Sequence, residues 1–397
     1  MKTKGILIVA MLLLVWSCKK NNPADHTDYT QQLQYALDTT WASFVSQVPQ
    51  ASGGLGVYIV CPQGSYFVSK NLDEGAGPDA HFRAASLTKT LTATAIMLLD
   101  QDGKLRIDDT ISHLMPGTSQ PYLPDDSCYQ IPYKDLITIR QLLDHRANVF
   151  DQVNSVVPAT VDAWYAGQVY SLAVITQVDR YHQFSLDELG YLISHHQLTY
   201  GPPGTEYHYS NGNYTLLAKI IERVSGKSCQ DFIHDEILTK NDLSETYIPY
   251  LGTDTTLAAP FLHGYLYLND FNIDVTNFNM SWAMGEGNMV SNFRDLAEFF
   301  SRLISGKSGL NMQQVSRMTE CPISNESYGL GIEYFEGLGY GHTGSHLGYL
   351  TIAAYDPETD WMVVSESTLY PNDHTLNMAE AKAIMAMLHK MKQTVGY

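Results

Sequence analysis

Positive charge is scarce in this chain. Its 397 residues include 24 Lys and Arg against 42 Asp and Glu, which gives a formal net charge of −18 at pH 7. A protein that binds nucleic acid needs clustered basic side chains to face the phosphates, and the only dense basic stretch is Lys19-Lys20. We therefore expect no nucleic-acid partner.

Long apolar runs are also missing, apart from one at the start. Residues 6–16 are apolar, but this run is too short to span a bilayer comfortably, and Lys2 and Lys4 precede it. A positive start followed by a short apolar run is typical of a signal peptide, which we assign to residues 1–17.

The end of this segment predicts how it is processed. Val15-Trp16-Ser17-Cys18 resembles a bacterial lipoprotein box, in which Cys18 would be acylated and become the mature N-terminus. Residues 18–29 would then form a lipidated tether, and the lipid would be the only contact with a membrane, on the periplasmic side or at the cell surface. Because Trp16 is uncommon in such a box, ordinary secretion stays an alternative.

Cysteine is rare, and its spacing excludes zinc-ribbon sites. With Cys18 lipidated, four cysteines remain. We favour buried free thiols over disulfides because a core of this size does not need covalent cross-links to be stable. The neighbouring His195 and His196 point to different helix faces, so we expect no metal site and no cofactor. The five cysteines are Cys18, Cys61, Cys128, Cys229 and Cys321.

Two common catalytic motifs are absent. The chain has no Gly-x-Ser-x-Gly elbow, which excludes an α/β-hydrolase. Ser225-Gly226-Lys227-Ser228 lacks the earlier glycine of a phosphate-binding loop, since Ile221 stands at that position.

Apolar periodicity predicts a mixed fold with early and late strands and helices between them. Because neither group of strands has enough neighbours alone, we expect them to share one sheet. Residues 30–90 and 250–397 would form a discontinuous α/β domain, with a helical domain inserted at 91–249. The predicted helices are 30–48, 90–99, 139–145, 186–196, 213–224 and 376–391, and the predicted strands are 54–60, 65–69, 328–335, 347–355 and 361–369.

Ser86-Leu87-Thr88-Lys89 places a nucleophile three residues before an amine. On a helix these two side chains share a face, so the Lys89 amine can reach the Ser86 hydroxyl. Burial would lower the pKa of Lys89 and let it accept the serine proton. Ser-x-x-Lys occurs by chance in many surface helices, so only partners elsewhere in the chain make the motif informative.

Two further elements supply such partners. Tyr209-Ser210-Asn211 follows a loop rich in proline and glycine and precedes a predicted helix, so a rigid turn can aim a phenol and an amide at one point. Alone, this element is better explained as a turn that caps the helix at Asn211. Gly341-His342-Thr343-Gly344-Ser345 precedes a predicted strand, and its N–H groups could bind an oxyanion. Alone, it could equally be a hairpin turn.

Together the three elements resemble the signatures of the serine β-lactamase and penicillin-binding-protein superfamily, over roughly residues 50–390. Tyr-x-Asn with His-Thr-Gly is similar to the branch that holds class C β-lactamases, D-alanyl-D-alanine carboxypeptidases, D-amino-acid peptidases and related esterases. Two departures stand out. His342 replaces the lysine of true class C β-lactamases, so a fixed ammonium is missing, and Arg146-Ala147-Asn148 replaces the usual Thr-Ser-Gly.

The resemblance implies an α+β, β-lactamase/transpeptidase-like fold, with an antiparallel sheet flanked by helices and an inserted, mostly helical domain. It implies that Ser86 is the nucleophile and that Lys89 and Tyr209 share the removal of its proton, with the general base open between them. The other implied roles are an oxyanion hole from the backbone N–H groups of Ser86 and Ser345, and substrate binding by Asn211, His342, Thr343 and Gly344, with Asn211 also holding Lys89.

The function implied is an exported serine hydrolase that works through a covalent acyl-enzyme. The leading prediction is a D-alanyl-D-alanine carboxypeptidase or D-amino-acid peptidase acting on peptidoglycan-type peptides. A carboxylesterase or weak β-lactamase of the same fold is one alternative, and a non-catalytic penicillin-binding sensor module is another. The expected partner is a small peptide, ester or β-lactam, and the sequence leaves the oligomeric state open.

Overall fold

A six-stranded antiparallel sheet forms the centre of the computed structural model, which describes residues 28–204, 206–321 and 327–397. The predicted signal peptide at 1–17, the lipidation site Cys18 and nearly all of the tether at 18–29 lie outside these residues. The strands of the large sheet are, in spatial order, β2 (Gly64–Lys70), β1 (Leu55–Cys61), β10 (Trp361–Ser367), β9 (Tyr349–Asp356), β8 (Gly339–His346) and β7 (Glu333–Phe335).

The first and last parts of the chain meet in this sheet. Strand β1 pairs with β10 in an antiparallel register that sets Val57 opposite Ser365. This pairing confirms that the early and late strands share one sheet. Short strands complete the β structure: β3 (Phe82–Arg83) pairs with β6 (Val290–Ser291), and β4 (Tyr265–Leu268) lies between β5 (Phe271–Asp274) and β11 (Leu369–Pro371).

Helices cover both faces of the large sheet. Helix α1 (Thr30–Val45) packs with α10 (His374–Thr394) on one face, where Trp41 joins the side chains of Val57 and Ile59. Because alternate strand residues point to opposite faces, Tyr58 joins the core on the other side, against α8 (Phe293–Ile304). The predicted α+β arrangement, an antiparallel sheet flanked by helices, is confirmed.

The other helices fill the region between the early and late strands. Most of their apolar residues belong to the same core cluster as one face of the sheet. The domain boundaries at residues 90 and 250 therefore stay predictions. These helices are α2 (Thr88–Gln101), α3 (Ile139–Leu143), α4 (Tyr170–Gln177), α5 (Leu186–His195), α6 (Asn211–Ser225) and α7 (Cys229–Ile233), followed later by α9 (Met312–Thr319).

Two predicted strands have different bounds in the structure. The prediction at 328–335 was too long, because the strand begins only at Glu333. Gly331 has a φ of +69°, and a Cβ there would lie 2.3 Å from that of Ala93, so the chain turns before it can pair. The strand at 361–369 divides after Ser367, and Leu369–Pro371 joins the small sheet instead.

The predicted free thiols are confirmed for the four cysteines in the described residues, although only two are fully buried. Cys61 and Cys229 are buried, and Cys128 and Cys321 are partly exposed. Over the described residues, no helix has both the length and the apolar character that a membrane crossing requires.

Candidate active site

Ser86 lies on a tight turn that leads into a buried helix. The turn is a 3-10 helix at Ala85–Leu87, and α2 follows directly, so the prediction of one α-helix through both Ser86 and Lys89 was wrong at its first residue. Ala85 has a φ of +47°, an uncommon conformation for a residue other than glycine. Thr88 holds the turn, because its hydroxyl donates to Ala85 O at 2.7 Å and accepts from Met289 N at 3.0 Å.

Lys89 and Ser86 lie within hydrogen-bond distance, as their spacing predicts. The Lys89 Nζ is 3.0 Å from the Ser86 Oγ. The Lys89 side chain is 0% exposed, whereas Ser86 is partly exposed. A substrate can therefore reach the hydroxyl while the amine stays out of water.

Three further oxygens surround the Lys89 Nζ. They are Asn211 Oδ1 at 2.7 Å, the backbone oxygen of Glu286 at 2.8 Å and Glu286 Oε2 at 3.2 Å. Amide and carbonyl oxygens can only accept hydrogen bonds, so this set fits an ammonium with three donors better than a neutral amine with two.

The pKa of Lys89 consequently differs from the prediction. Burial alone would lower it, but Tyr209 and the Glu286 carboxyl outweigh burial and hold the pKa above its usual value. The predicted lowered pKa was wrong, because reasoning from burial left out a carboxyl that lies 197 residues away in the sequence.

Tyr209 completes a compact group with these two side chains. Its ring centroid is 5.0 Å from the Lys89 Nζ. Burial raises the pKa of the Tyr209 phenol, while the charge of Lys89 and hydrogen bonds to Ser86 and Lys89 oppose that rise. The structure therefore brings the three predicted catalytic side chains together around one hydroxyl.

Asn211 is the first residue of α6, and a buried acid fixes its orientation. The Asp151 carboxylate accepts from the Asn211 backbone N at 3.2 Å and from its Nδ2 at 3.1 Å. The amide oxygen is thereby turned toward Lys89, in agreement with the predicted contact. The same carboxylate accepts from the backbone of Val153 and Asn154, so it also shapes its own loop.

His342 lies within strand β8, which directly precedes β9, so the motif stands before the predicted strand as expected but forms a strand of its own. The side chain is 1% exposed. Its Nδ1 is 2.5 Å from the Thr343 carbonyl oxygen, and its Nε2 is 2.9 Å from the Tyr328 hydroxyl. Burial, with the nearby Lys89 charge, lowers the pKa of His342 to about 3, so the ring is neutral. Substrate binding by His342 stays a prediction, and in this arrangement both ring nitrogens are already occupied.

Gly344 allows β8 to pack directly on the nucleophile turn. A Cβ at this position would lie 2.3 Å from Ala84 O, so no larger residue fits without moving the strand. Gly344 is therefore needed for the packing of β8 against the turn that carries Ser86. Ser345 follows it in β8, the strand that packs on the turn that carries Ser86. The oxyanion hole formed by the N–H groups of Ser86 and Ser345, and substrate binding by Thr343 and Gly344, stay predictions.

Sequence reasoning missed several side chains that support the site. Glu286 offered one signal, since it is an acid between two glycines in an otherwise apolar stretch. Asp151 and Tyr328 offered none. His145 was noted only as part of a family pattern, yet its ring lies 4.1 Å from that of Tyr209 and its Nδ1 accepts from Ser210 N at 3.1 Å.

Comparison with known proteins gives consistent matches. A protein-family model described as Beta-lactamase matches residues 43–384. Penicillin-binding protein 4* of Bacillus subtilis (strain 168) is 28% identical over 186 residues, which are 47% of this chain and 34% of that protein. The chain thus spans only about a third of the length of this relative.

Two solved structures resemble the chain over most of its length. The D-stereospecific amidohydrolase from Streptomyces sp. has a TM-score of 0.70 at 22% identity, covering 88% of this chain and 97% of that one. The D-amino acid amidase from Ochrobactrum anthropi SV3, solved with L-phenylalanine amide, has a TM-score of 0.70 at 21% identity, covering 92% and 100%. At these identities the matches establish a shared fold.

Proposed function

This chain belongs to the beta-lactamase family and is a serine hydrolase, and from that premise we propose that it cleaves small D-amino-acid amides and peptides through an acyl ester on Ser86. The observation that carries the proposal is the assembled group of Ser86, Lys89 and Tyr209. A reachable hydroxyl lies 3.0 Å from a fully buried amine, and the ring centroid of a buried tyrosine lies 5.0 Å from that amine.

The chemistry follows from this arrangement. When the Lys89–Tyr209 pair has lost one proton, the Ser86 Oγ attacks the substrate carbonyl carbon and its own proton passes to that pair. The carbonyl electron pair moves onto oxygen, where the N–H groups of Ser86 and Ser345 would stabilise it, at about 3 kcal/mol per donor. The C–N bond then breaks as Tyr209 gives a proton to the leaving nitrogen. Water then attacks the ester carbonyl carbon and gives a proton to the Lys89–Tyr209 pair, which passes it to the Ser86 Oγ as the ester C–O bond breaks and the acid is released.

Charge in the site favours a leaving group without a carboxylate. None of the residues predicted to bind substrate carries a positive charge, because His342 is neutral and the others are Asn211, Thr343 and Gly344. A D-alanyl-D-alanine carboxypeptidase must accept a free carboxylate beside the scissile bond. The site therefore supports the D-amino-acid peptidase alternative, as do neighbouring structures described as a D-stereospecific amidohydrolase and a D-amino acid amidase.

A cavity of about 230 Å³ lies next to Ser345 and offers room for a substrate side chain. Ser345 lines this cavity and is also a predicted oxyanion-hole donor, so a substrate carbonyl bound there would lie at the edge of the cavity. We therefore place the acyl part of the substrate in the cavity and the leaving group beside Tyr209, its proposed proton donor. Its apolar lining fits an apolar side chain and comes from Val153, Leu172, Ile175, Phe278, Trp282 and Leu347.

A substrate panel tests this proposal. We expect D-phenylalanine amide to be hydrolysed with a kcat/KM at least about tenfold above that of a D-alanyl-D-alanine peptide, because one apolar side chain is worth about 1 to 3 kcal/mol in such a pocket. L-phenylalanine amide is the stereochemical control, and release of ammonia is the measurement. Faster turnover of the D-alanyl-D-alanine peptide would identify a carboxypeptidase instead. Turnover of p-nitrophenyl esters alone would contradict both the D-amino-acid peptidase and the carboxypeptidase proposals.

Export and lipid anchoring are a second part of the proposal and rest on the residues before the described fold. The segment at 1–17 and Cys18 support a lipoprotein held at a membrane by its acylated cysteine. We expect the full chain, expressed in a bacterium, to fractionate with membranes and to incorporate a labelled fatty acid. Cys18→Ala should abolish the label and release the protein. Labelling that survives this substitution would contradict the anchor.

A further inference from the structure

Glu286 holds Lys89 with two different atoms. The residue is 3% exposed, its backbone oxygen lies 2.8 Å from the Lys89 Nζ, and its Oε2 lies 3.2 Å from the same nitrogen. The neighbouring backbone is fixed, because Gly285 has a φ of +76° and a Cβ there would lie 2.6 Å from that of Ala218 on α6. Glu286 is therefore built into the site by the packing of the segment that carries it.

Lys89 is the only cation among the charged groups around this carboxyl in the described site. Burial raises the pKa of Glu286 to about 7; the Lys89 charge opposes this rise and Asp151, the other nearby acid, adds to it, so the carboxyl is charged above about pH 7. His145 and His342 are neutral, since burial and the Lys89 charge lower both pKa values. The remaining titratable groups that face Lys89 are the phenols of Tyr209 and Tyr214, whose ring centroids lie 5.0 and 5.6 Å from its Nζ.

The Glu286 carboxyl makes its one polar contact within the described residues with the Lys89 amine. Its Oε1 is buried and has no hydrogen-bond partner there. Glu366 and Glu380 also bury one unpartnered oxygen each, but their other oxygens accept from the hydroxyls of Thr351 and Ser367. Of these three buried glutamates, Glu286 is the one whose carboxyl lies against a cation.

We propose that Glu286 is a positioning residue that holds Lys89 against Ser86 and sets the protonation of the Lys89–Tyr209 pair. The proposal rests on the proposed acyl transfer at Ser86. A negative charge beside the pair favours a proton on Lys89 and equally a proton on Tyr209. Glu286 therefore raises the pH at which the pair can take the Ser86 proton, whichever of the two is the base.

The sign of the effect follows from linkage. The Glu286 charge raises the pKa values of both Lys89 and Tyr209, so its removal must lower the pKa of the coupled pair. An opposite charge at this distance shifts a pKa by about 1 to 3 units. The acid limb of the rate profile, which is the part where kcat/KM rises with pH, should therefore move to lower pH by about that amount.

Three variants test the proposal. We expect Glu286→Gln, which keeps the shape but not the charge, to move the acid limb of kcat/KM for p-nitrophenyl acetate to lower pH by about 1 unit or more. Glu286→Asp keeps the charge and should leave the limb in place. Glu366→Gln is the matched control: Glu366 is buried in the central sheet, and burial raises its pKa well above the ordinary value, so the amide removes no charge.

The outcomes separate this inference from the function on which it rests. A Glu286→Gln profile of unchanged shape and reduced height would mean a purely structural role and overturn the inference alone. If the unaltered protein shows no turnover that depends on Ser86, the proposed function itself is overturned.

A thermal-melting comparison tests the same charge without any substrate. Without Glu286, the buried Lys89 cation is uncompensated, so its pKa falls below the unfolded value and it destabilises the fold most at low pH. We expect the melting-temperature deficit of Glu286→Gln to shrink as the pH rises from neutral to alkaline. A deficit that does not change with pH would overturn the inference.

Discussion

Ser86→Ala is expected to lower kcat for every amide and ester substrate by at least about 10⁴-fold, because a hydrolase that works through a covalent ester has no other route of comparable rate. The fold should be unaffected. Ser86 is partly exposed, and Lys89 keeps three other oxygen partners when the hydroxyl is removed.

Steady-state hydrolysis of D-phenylalanine amide and of p-nitrophenyl acetate measures the loss. Circular dichroism of the same preparation checks that the variant is folded. Residual activity within about tenfold of the unaltered protein would mean that the Ser86 hydroxyl is not the nucleophile, since losses that small are far below those of a removed nucleophile.

Lys89→Met should cost both activity and stability. Methionine fills a similar volume but leaves the Glu286 carboxyl buried at 3% exposure without its cation. Breaking a buried ion pair in this way costs about 3 to 5 kcal/mol. Loss of the amine should also lower kcat by about 10² to 10⁴-fold, the usual contribution of a proton-transfer group. Urea denaturation and steady-state kinetics measure the two effects separately.

A double variant separates the two roles of Lys89. Lys89→Met with Glu286→Gln removes both charges, so most of the lost free energy of unfolding should return. Activity should stay low, because the amine is still missing. Recovery of activity with stability would show that Lys89 serves only to neutralise Glu286, and failure to recover stability would show that the two side chains are not energetically coupled.

The grouping of Ser86, Lys89 and Tyr209 was predictable because its signals are local. Ser86 and Lys89 are three residues apart, and Tyr209 lies in a short loop whose prolines and glycines mark a turn. The sheet was predictable from strand patterns near both ends of the chain, and the pairing of β1 with β10 confirms it. In both cases a few neighbouring residues carry the information.

The parts that the sequence did not reveal depend on long-range contacts. Glu286 meets Lys89 across 197 positions, and Asp151 meets Asn211 across 60. A single acidic residue forms no periodic pattern from which such a distant partner could be predicted. The strand formed by the His342 motif itself, β8, was not predicted, because glycines at 339, 341 and 344 weaken the strand pattern. They are needed there, since a Cβ at 341 or 344 would lie 1.8 or 2.3 Å from a backbone oxygen.

Covalent labelling tests the central claim, acyl transfer to Ser86, most directly. The protein would be treated with a fluorophosphonate and, separately, with penicillin, then digested and mapped by mass spectrometry. We expect one adduct on the peptide that contains Ser86 and none in Ser86→Ala. No adduct with either reagent, or an adduct that persists in Ser86→Ala, would contradict the assignment of Ser86 as the nucleophile.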